Sequence, residues 1–180
     1  MRPTNINKIA HQWILDKIPI KETAIDATIG NGNDTYFLAK HFQKVYGFDI
    51  QDQAFINTNR MVKDLNNVIL IKDSHQFMSD HIKEKVDLII FNLGYLPNGD
   101  PSITTQAPST IAAIKDAFSL LKTHASLMIT FYIGHAQGAI EHETFKNSLS
   151  KFNELQVLDS YTYHDRHLAP ILYHLKKVLE

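Results

Sequence analysis

The chain has 180 residues, 44% of them hydrophobic, and a net charge of −1. These values are typical of one soluble globular domain, expected here over residues 1–180. They exclude an overall positive charge that would attract nucleic acid. No apolar run approaches the roughly 18 residues of a membrane span, and the absence of cysteine removes disulfide and thiolate chemistry, so a cytoplasmic location is the simplest expectation.

The hydrophobic pattern indicates short buried strands that alternate with amphipathic helices. In chain order it predicts a helix over residues 7–17, a strand over 23–29, a helix over 34–42, a strand over 44–50, a helix over 53–65, strands over 68–73 and 86–93, a helix over 108–122, a strand over 125–133, a helix over 143–152, and two β-rich runs over 155–164 and 171–179. This alternation is typical of parallel β-α-β units. We expect an α/β fold with a Rossmann-like, mostly parallel sheet of about seven strands, helices on both faces and an antiparallel C-terminal strand.

Local polar signals assign some side chains to structural roles. Asn33 or Asp34 is the expected cap of the second helix, and Ser109 is the expected cap of the fourth. The acidic stretch IEHE, residues 140–143, is expected on a solvated face.

The first predicted strand leads into the glycine-containing segment IDATIGNGNDT, residues 25–35. Gly30 and Gly32 allow the backbone to turn sharply and to approach a ligand closely. Ligands of such sheets bind at the carboxyl ends of the strands, and Asp49 ends the second strand nineteen residues after Gly30. A carboxylate at that place suits the hydroxyls of a ribose. Three carboxylates lie at or near the ends of neighbouring predicted strands: Asp26, Asp49 and Asp73.

Two nucleotide cofactors compete for this site. A dinucleotide favours G-x-G-x-x-G before a helix that faces the pyrophosphate, whereas Thr35 occupies the third glycine position here. The loop also carries Asn31, Asn33 and Asp34, and extra acidity suits a cation better than a diphosphate. S-adenosylmethionine carries a sulfonium and an ammonium group but no phosphate. A nicotinamide-dependent oxidoreductase, or a turn without a ligand, stays open on this pattern alone.

Together these motifs resemble the class I S-adenosylmethionine-dependent methyltransferases. IDATIGNGNDT is similar to their first motif, Asp49 to their ribose-binding acid, and KDSHQF (72–77) to the segment beside the adenine. The resemblance implies S-adenosylmethionine as the cofactor. The residues that it implies for cofactor binding are Asp26, Gly30, Asn31, Gly32, Asn33, Asp34, Thr35, Asp49, Gln51, Asp73, Ser74, His75 and Asn92.

The fourth predicted strand ends in a second motif, NLGYLPNGD, residues 92–100. It resembles the Asn/Asp-Pro-Pro-Tyr/Phe motif of amine-methylating members of that superfamily, with Asn92 and Tyr95 kept and both middle positions changed. In that motif, amide and backbone oxygens accept the N–H groups of an amine and aim its lone pair, while the ring holds the substrate plane. The resemblance implies Asn92, Gly94 and Tyr95 as catalytic residues. Adenine or cytosine as the target stays open, and Gly94 leaves room for a different amine.

Five segments in combination are similar to the YtqB-like methyltransferases, also described as rRNA methylases. These segments are AH (10–11), DATIGNGNDT, NLGYLPNGD, TTQAPSTIAAI (104–114) and YIGH (132–135). The resemblance covers nearly the whole chain. It implies that the chain methylates the amine of wobble 5-aminomethyl-(2-thio)uridine in tRNA to the 5-methylaminomethyl form, as in Gram-positive bacteria. An rRNA or small-molecule amine as substrate, and a cofactor-binding module without catalysis, stay open.

An aliphatic amine as substrate adds a physical requirement. A free alkylamine has a pKa near ~10, so it must lose a proton before its nitrogen can attack. Imidazole titrates in a suitable range, which makes His135 a candidate catalytic base and His11 a candidate base or substrate contact. The expected substrate-binding residues are His11, Leu96, Pro97, Thr104 and Thr105.

The expected partner is tRNA, bound through its anticodon region. A second copy of the chain is a further hypothesis, because a homodimer would offer a larger RNA surface. No membrane partner is expected. His164 and His167 have a spacing that suits a metal, but no further ligand cluster accompanies them, so we expect surface histidines and no metal.

Overall fold

The computed structural model describes residues 5–94 and 106–178 of the chain. The helices are α1 (Ile6–Lys17), α2 (Asn33–His41), α3 (Asp52–Val62), α4 (Met78–His81), α5 (Ala107–Leu120) and α6 (Ala136–Ser148). The strands are β1 (Thr23–Asp26), β2 (Lys44–Asp49), β3 (Val68–Lys72), β4 (Val86–Leu93), β5 (Leu121–Phe131), β6 (Leu155–Thr162) and β7 (Ile171–Lys177). Short 3₁₀ turns over His75–Phe77 and Leu149–Lys151 precede α4 and follow α6.

The seven strands form one sheet in the order β3-β2-β1-β4-β5-β7-β6. Strands β1 to β5 pair in parallel, whereas β7 runs antiparallel to both of its neighbours, β5 and β6. The prediction of a mostly parallel, Rossmann-like sheet of about seven strands with an antiparallel C-terminal strand is confirmed. Strand order reverses between β1 and β4, and ligands of such folds bind beside this switch point.

Alternate side chains of the central strands supply two hydrophobic cores, one on each face of the sheet. Ile25 and Ile89 contribute to the core that packs against α4, α5 and α6. Ala24 and Leu88 contribute to the core under α1 and α2. This arrangement explains why all four residues of β1 are buried and why most of β4 is apolar, since strands that are covered on both faces bury their side chains on both sides.

Two helix starts differ from the sequence prediction. Helix α2 begins at Asn33, and the residue before it, Gly32, has φ +82° and supplies no side-chain cap, so neither Asn33 nor Asp34 caps the helix. Helix α5 begins at Ala107, and the Ser109 hydroxyl donates to the Gln106 carbonyl at 2.9 Å instead of capping. In both places the turn geometry, and not a polar cap, starts the helix.

Helix α6 begins at Ala136, seven residues before the predicted start. The His135 side chain caps it by accepting the Gly138 N–H at 3.1 Å. The solvated face expected for residues 140–143 is wrong at Glu141, which is fully buried and accepts a hydrogen bond from the Thr110 hydroxyl at 2.5 Å, whereas Glu143 is exposed. Helix α4, four residues long, was not predicted.

The last turn of α5 is stabilised from β7 by a buried lysine. Lys177 is 6% exposed, and its Nζ donates to the carbonyl oxygens of Phe118 at 2.8 Å and Leu121 at 3.2 Å. The last carbonyls of a helix have no partner within the helix and carry its negative dipole end, so an ammonium group is favoured there.

Within residues 5–94 and 106–178, none of the helices has the length and apolar character needed to cross a membrane. The extent of one domain over residues 1–180 stays a prediction.

Candidate active site

A cleft of about 680 Å³ opens at the carboxyl ends of the parallel strands, beside the point where strand order reverses. Its volume lies in the range of small-molecule and cofactor sites. It brings together twelve of the residues that the sequence predicted for the site: Gly30, Asn31, Asn33, Asp34, Asp49, Gln51, Asp73, Ser74, His75, Asn92, Gly94 and His135.

The glycine loop between β1 and α2 forms one wall of the cleft. Gly30 and Gly32 have φ values of +56° and +82°, which side chains rarely adopt. A Cβ on Gly32 would lie 2.5 Å from Thr58 Oγ1 and 2.9 Å from Thr58 Cα, so this glycine also lets α2 pack closely on α3. The loop is thus held by its backbone conformation and by helix packing.

Asp49, at the end of β2, ties this loop to the next one. One carboxylate oxygen accepts the Gly30 N–H at 3.0 Å, and the other accepts the Gln51 N–H at 3.0 Å. All three residues line the cleft, and the ribose side stays a prediction for Asp49 and Gln51.

Asp26 supports the glycine loop from behind the cleft. It is fully buried and accepts hydrogen bonds from the Thr35 hydroxyl at 2.6 Å and from the Thr28 N–H at 3.1 Å. Burial, together with the nearby Asp34 carboxylate, raises its pKa to about 7. Asp26, Gly32 and Thr35 are not among the lining residues, so we place them in the support of the loop and not in direct cofactor contact.

The segment after β3 forms the opposite wall. His75 Nδ1 lies 3.0 Å from the Ala27 carbonyl oxygen. Because a carbonyl oxygen can only accept a hydrogen bond, Nδ1 carries the proton and Nε2 is an acceptor. Burial lowers the pKa of His75 and keeps the ring neutral. Asp73 accepts from the Ser74 N–H at 2.7 Å and from His81 Nε2 at 2.7 Å, and the His81 contact holds the Asp73 pKa below its usual range.

The charge of the cleft selects among cofactors. The residues described along its lining include Asp34, Asp49 and Asp73 but no lysine or arginine. An acidic lining repels a pyrophosphate and attracts a cation. S-adenosylmethionine, with its sulfonium and ammonium groups, therefore fits these residues, and a nicotinamide dinucleotide does not.

Asn92, near the end of β4, presents an unusual acceptor to this cleft. Its backbone N–H donates to the Thr28 hydroxyl at 2.7 Å, and its side-chain Nδ2 donates to Asp34 Oδ2. Its Oδ1 is buried and has no hydrogen-bond partner among the described residues. A buried acceptor without a partner is costly, so an occupant of the cleft with an N–H or O–H group would satisfy it.

Helix α1 reaches the site through His11 and Asn7. His11 Nε2 lies 2.5 Å from Asp34 Oδ1, and its ring stacks on Phe37 with centroids 3.7 Å apart. His11 is not among the lining residues of the cleft, and its predicted substrate contact stays a prediction. Asn7 Oδ1 accepts the Tyr132 hydroxyl at 3.0 Å, and burial and Asp34 raise the Tyr132 pKa to about 12.

His135 is held in a state that opposes its predicted role as a base. Its Nδ1 accepts the Gly138 N–H, so the neutral ring carries its proton on Nε2. A Cβ on Gly94 would lie 3.7 Å from this Nε2, which places the proton-bearing side of the ring beside Gly94. The ring therefore suits the donation of a hydrogen bond better than the acceptance of a proton.

Sequence reasoning missed further residues of the site, among them Thr28, Tyr132 and Asn7. Thr28 stands in the glycine-loop motif and Tyr132 in YIGH, so both had a signal, whereas nothing in the sequence marks Asn7. The predicted residues Tyr95, Leu96, Pro97, Thr104 and Thr105 lie outside the described residues. Within residues 5–94 and 106–178, no group of three or more His, Asp or Glu side chains could hold a metal ion.

Comparison with known proteins identifies related sequences. Residues 45–176 match the family model described as "Putative rRNA methylase". The chloroplastic tRNA (mnm(5)s(2)U34)-methyltransferase of Arabidopsis thaliana is 33% identical, in an alignment that covers 79% of this chain and 57% of that protein. The chain thus spans little more than half the length of this relative.

Solved structures with the same fold include two that cover nearly the whole chain. The "putative rRNA-methylase" of Clostridium thermocellum is 38% identical, with a TM-score of 0.89 over 99% of this chain and 100% of that chain. A methyltransferase from Streptococcus mutans, solved in complex with S-adenosylhomocysteine, is 32% identical, with a TM-score of 0.87 over 98% and 99% of the two chains.

Proposed function

Because this chain belongs to the rRNA methylase family and is an S-adenosylmethionine-dependent methyltransferase, we propose that its acceptor is an aliphatic amine of tRNA. The proposed reaction converts wobble 5-aminomethyl-(2-thio)uridine, in the anticodon region, to its 5-methylaminomethyl form. The reaction would take place in the cytoplasm.

The observation that carries the proposal is the buried Oδ1 of Asn92. This acceptor belongs to a residue that lines the cleft and has no partner among the described residues, and the amide nitrogen of the same side chain is already bound to Asp34. An amine offers N–H groups to such an acceptor. A nucleophile that carries no hydrogen in its reactive form, such as a thiolate, would leave the oxygen unsatisfied.

The cofactor would lie between the glycine loop and the segment after β3. S-adenosylmethionine supplies an activated methyl group on a sulfonium centre. Asp49 would accept the ribose hydroxyls, the Gly30 backbone would approach the cofactor closely, and Ser74 and His75 would lie on the adenine side. Asn92, near the end of the strand next to β1, would then hold the amine beside the cofactor.

Positioning is the main contribution expected from the protein. Only the neutral amine has a lone pair to donate, and Asn92 Oδ1 would accept one of its N–H groups and so fix the direction of that lone pair. His135 would not take the proton of the amine, because its Nδ1 accepts the Gly138 N–H and its neutral ring carries the proton on Nε2. We therefore expect the amine to react in its neutral form, which binding beside a cation would favour.

The choice of tRNA over other acceptors rests on the Arabidopsis relative, whose name specifies U34 of tRNA. Ribosomal RNA is the second candidate, because the family model carries that description. Because its net charge is −1, the chain would bind RNA through local contacts and not through an overall positive charge. A homodimer would enlarge those contacts, and the mass of the protein in solution tests it.

The test is methyl transfer from labelled S-adenosylmethionine to tRNA from cells whose wobble uridines stop at the aminomethyl stage. Nucleoside analysis should find the label in 5-methylaminomethyl-uridine or its 2-thio form. Ribosomal RNA from the same cells is the parallel substrate, and label there alone would reject the tRNA assignment.

Asn92→Ala tests the residue that carries the proposal. We expect turnover to fall by about 10²–10³-fold, because the amine loses its orienting acceptor, while the Kd of S-adenosylhomocysteine stays within about twofold. An equal fall in cofactor affinity would show that Asn92 holds the cofactor and not the amine.

A further inference from the structure

We propose that Asp34 and His11 form a positioning pair that holds the Asn92 amide with its oxygen towards the acceptor amine. This role differs from the cofactor contact and the substrate contact that the sequence predicted for these two residues. The inference rests on the proposed function, since it assumes that Asn92 Oδ1 receives an N–H of the substrate.

The orientation of the Asn92 amide is set by its neighbour Asp34. A carboxamide can rotate by half a turn at little cost in shape, which exchanges its NH₂ group and its oxygen. In Asn92, Nδ2 donates to Asp34 Oδ2 and Oδ1 is left buried without a partner among the described residues. The reverse orientation would place the amide oxygen against a carboxylate oxygen, two acceptors in contact. Asp34 therefore selects the orientation that leaves Oδ1, on a residue that lines the cleft, without a partner among the described residues.

Asp34 is itself held by His11. Its other oxygen, Oδ1, lies 2.5 Å from His11 Nε2, and a carboxylate can only accept, so the imidazole donates. Asp34 is 8% exposed, so water weakens these two contacts less than it weakens an ion pair on the surface. The two contacts use both carboxylate oxygens and leave the side chain little freedom to turn.

The His11 ring is fixed by contacts of its own. Its ring stacks on Phe37 of α2 with an interplanar angle of 3°, one turn from Asp34 on the same helix. Helix α1 is also joined to the site by the bond from Tyr132 to Asn7. The ring is thus fixed in plane and in position, and it is not among the residues that line the cleft. His11 acts through Asp34, and Asp34 acts through Asn92.

The pair makes a prediction that needs no catalytic assay. In ¹⁵N-labelled protein, the Asn92 side-chain NH₂ signal, assigned by its loss in Asn92→Asp, should show a proton shifted downfield by the carboxylate. Asp34→Asn should remove that shift or split the signal in two, because a second carboxamide can pair with Asn92 in either orientation. Asp16→Asn, a change of an exposed carboxylate on α1 away from the cleft, should leave the signal unchanged.

Kinetics provide the second readout. We expect Asp34→Asn to lower kcat about 100-fold, as small misplacements of a reacting group do, with the Kd of S-adenosylhomocysteine within about twofold of wild type. In the Asn92→Ala background, under single-turnover conditions, Asp34→Asn should cost no more than about twofold further, because its effect passes through Asn92.

His11 offers a conservative rescue. His11→Gln can still donate an N–H to Asp34 and should keep most of the wild-type kcat, whereas His11→Phe keeps the stack on Phe37 but loses the donor and should lower kcat. Equal loss in both variants would overturn the role of the hydrogen bond.

The outcomes separate this inference from the proposed function. An Asn92 signal that is the same in wild type and Asp34→Asn overturns the positioning pair, whichever substrate the enzyme uses. A large loss of cofactor affinity in Asp34→Asn overturns it in favour of direct cofactor binding. A changed Asn92 signal in an enzyme that does not methylate the tRNA would reject the proposed substrate and leave the pair in place.

Discussion

Alanine in place of Gly32 should destabilise the protein, while the same change at Gly94 should not. Gly32 has φ +82°, a conformation that costs a residue with a Cβ about 1–2 kcal/mol. The new Cβ would also lie 2.9 Å from Thr58 Cα, a backbone atom, so α2 and α3 would have to separate. Overpacking of this kind costs about 1–3 kcal/mol. We therefore expect a loss of about 2–5 kcal/mol in the free energy of unfolding, or about 5–20 °C in Tm for a chain of this size.

Gly94→Ala is the matched control. A Cβ there would meet His135 Nε2 at 3.7 Å and Tyr132 Cδ2 at 3.8 Å, ordinary contact distances, and no positive φ opposes it. The Tm should stay within about 2 °C of wild type. The methyl group would instead take space beside Asn92, and methyl transfer to tRNA should fall about tenfold or more.

Urea denaturation and thermal melting of the two variants, with and without S-adenosylhomocysteine, decide the matter. Equal stability of Gly32→Ala and wild type would refute the argument from backbone conformation and helix packing. Equal destabilisation of both variants would show that any side chain in these loops is harmful, and that the distances do not discriminate.

Three further variants and one pH profile test other parts of the structure. Burial raises the pKa of Asp26 from 3.8 to about 7, so the native state keeps a proton that the unfolded chain releases. The free energy of unfolding should therefore fall as pH rises between these values, by at most about 1.4 kcal/mol per pH unit. Asp26→Asn should flatten this pH dependence, measured by urea denaturation at each pH. Asp49→Asn should raise the Kd of S-adenosylhomocysteine about tenfold to 100-fold in calorimetry, because one carboxamide oxygen cannot replace two acceptors. Lys177→Met should lower the free energy of unfolding by about 1–3 kcal/mol, since two buried carbonyls lose their donor. If the amine reacts in its neutral form, kcat/KM should rise about tenfold per pH unit from pH 7 towards the pKa of the amine, and a flat profile would point to a proton acceptor inside the site.

The sheet could be predicted from the sequence because its signals are local. Strands β1 to β5 are apolar runs between turn residues, and the carboxyl ends of parallel strands meet at one edge, so the pattern alone places Asp49 and Asn92 at the same edge. The strand order and the interposed β7 had no such signal, since pairing is decided by contacts between distant segments.

Helix α6 shows why other parts could not be predicted. Its start depends on Gly138, where a Cβ would lie 2.1 Å from the Tyr132 carbonyl oxygen, and on the His135 side chain that caps the helix. Glu141 looks solvated in sequence but is buried, and it accepts a hydrogen bond from the hydroxyl of Thr110 on another helix. These are tertiary contacts, and no periodicity reports them.

Within the site, too, local motifs could be predicted from the sequence and tertiary contacts could not. Asp34 was placed beside the cofactor because it stands in the glycine-loop motif. Its contacts with His11 and Asn92 span 23 and 58 residues, and they turn a motif residue towards the acceptor side of the cleft.

The contacts that build the cleft also imply an order of assembly. The ribose side closes through Gly30 and Asp49, nineteen residues apart, whereas the acceptor side needs the contact of Tyr132 with Asn7, 125 residues apart. Closing a long loop costs more entropy and delays folding, so the short-range side should form first. A folding chain would then recognise its methyl donor before it can orient an amine, and S-adenosylhomocysteine added during refolding should protect amides of β1 and β2 from hydrogen exchange earlier than those of α1.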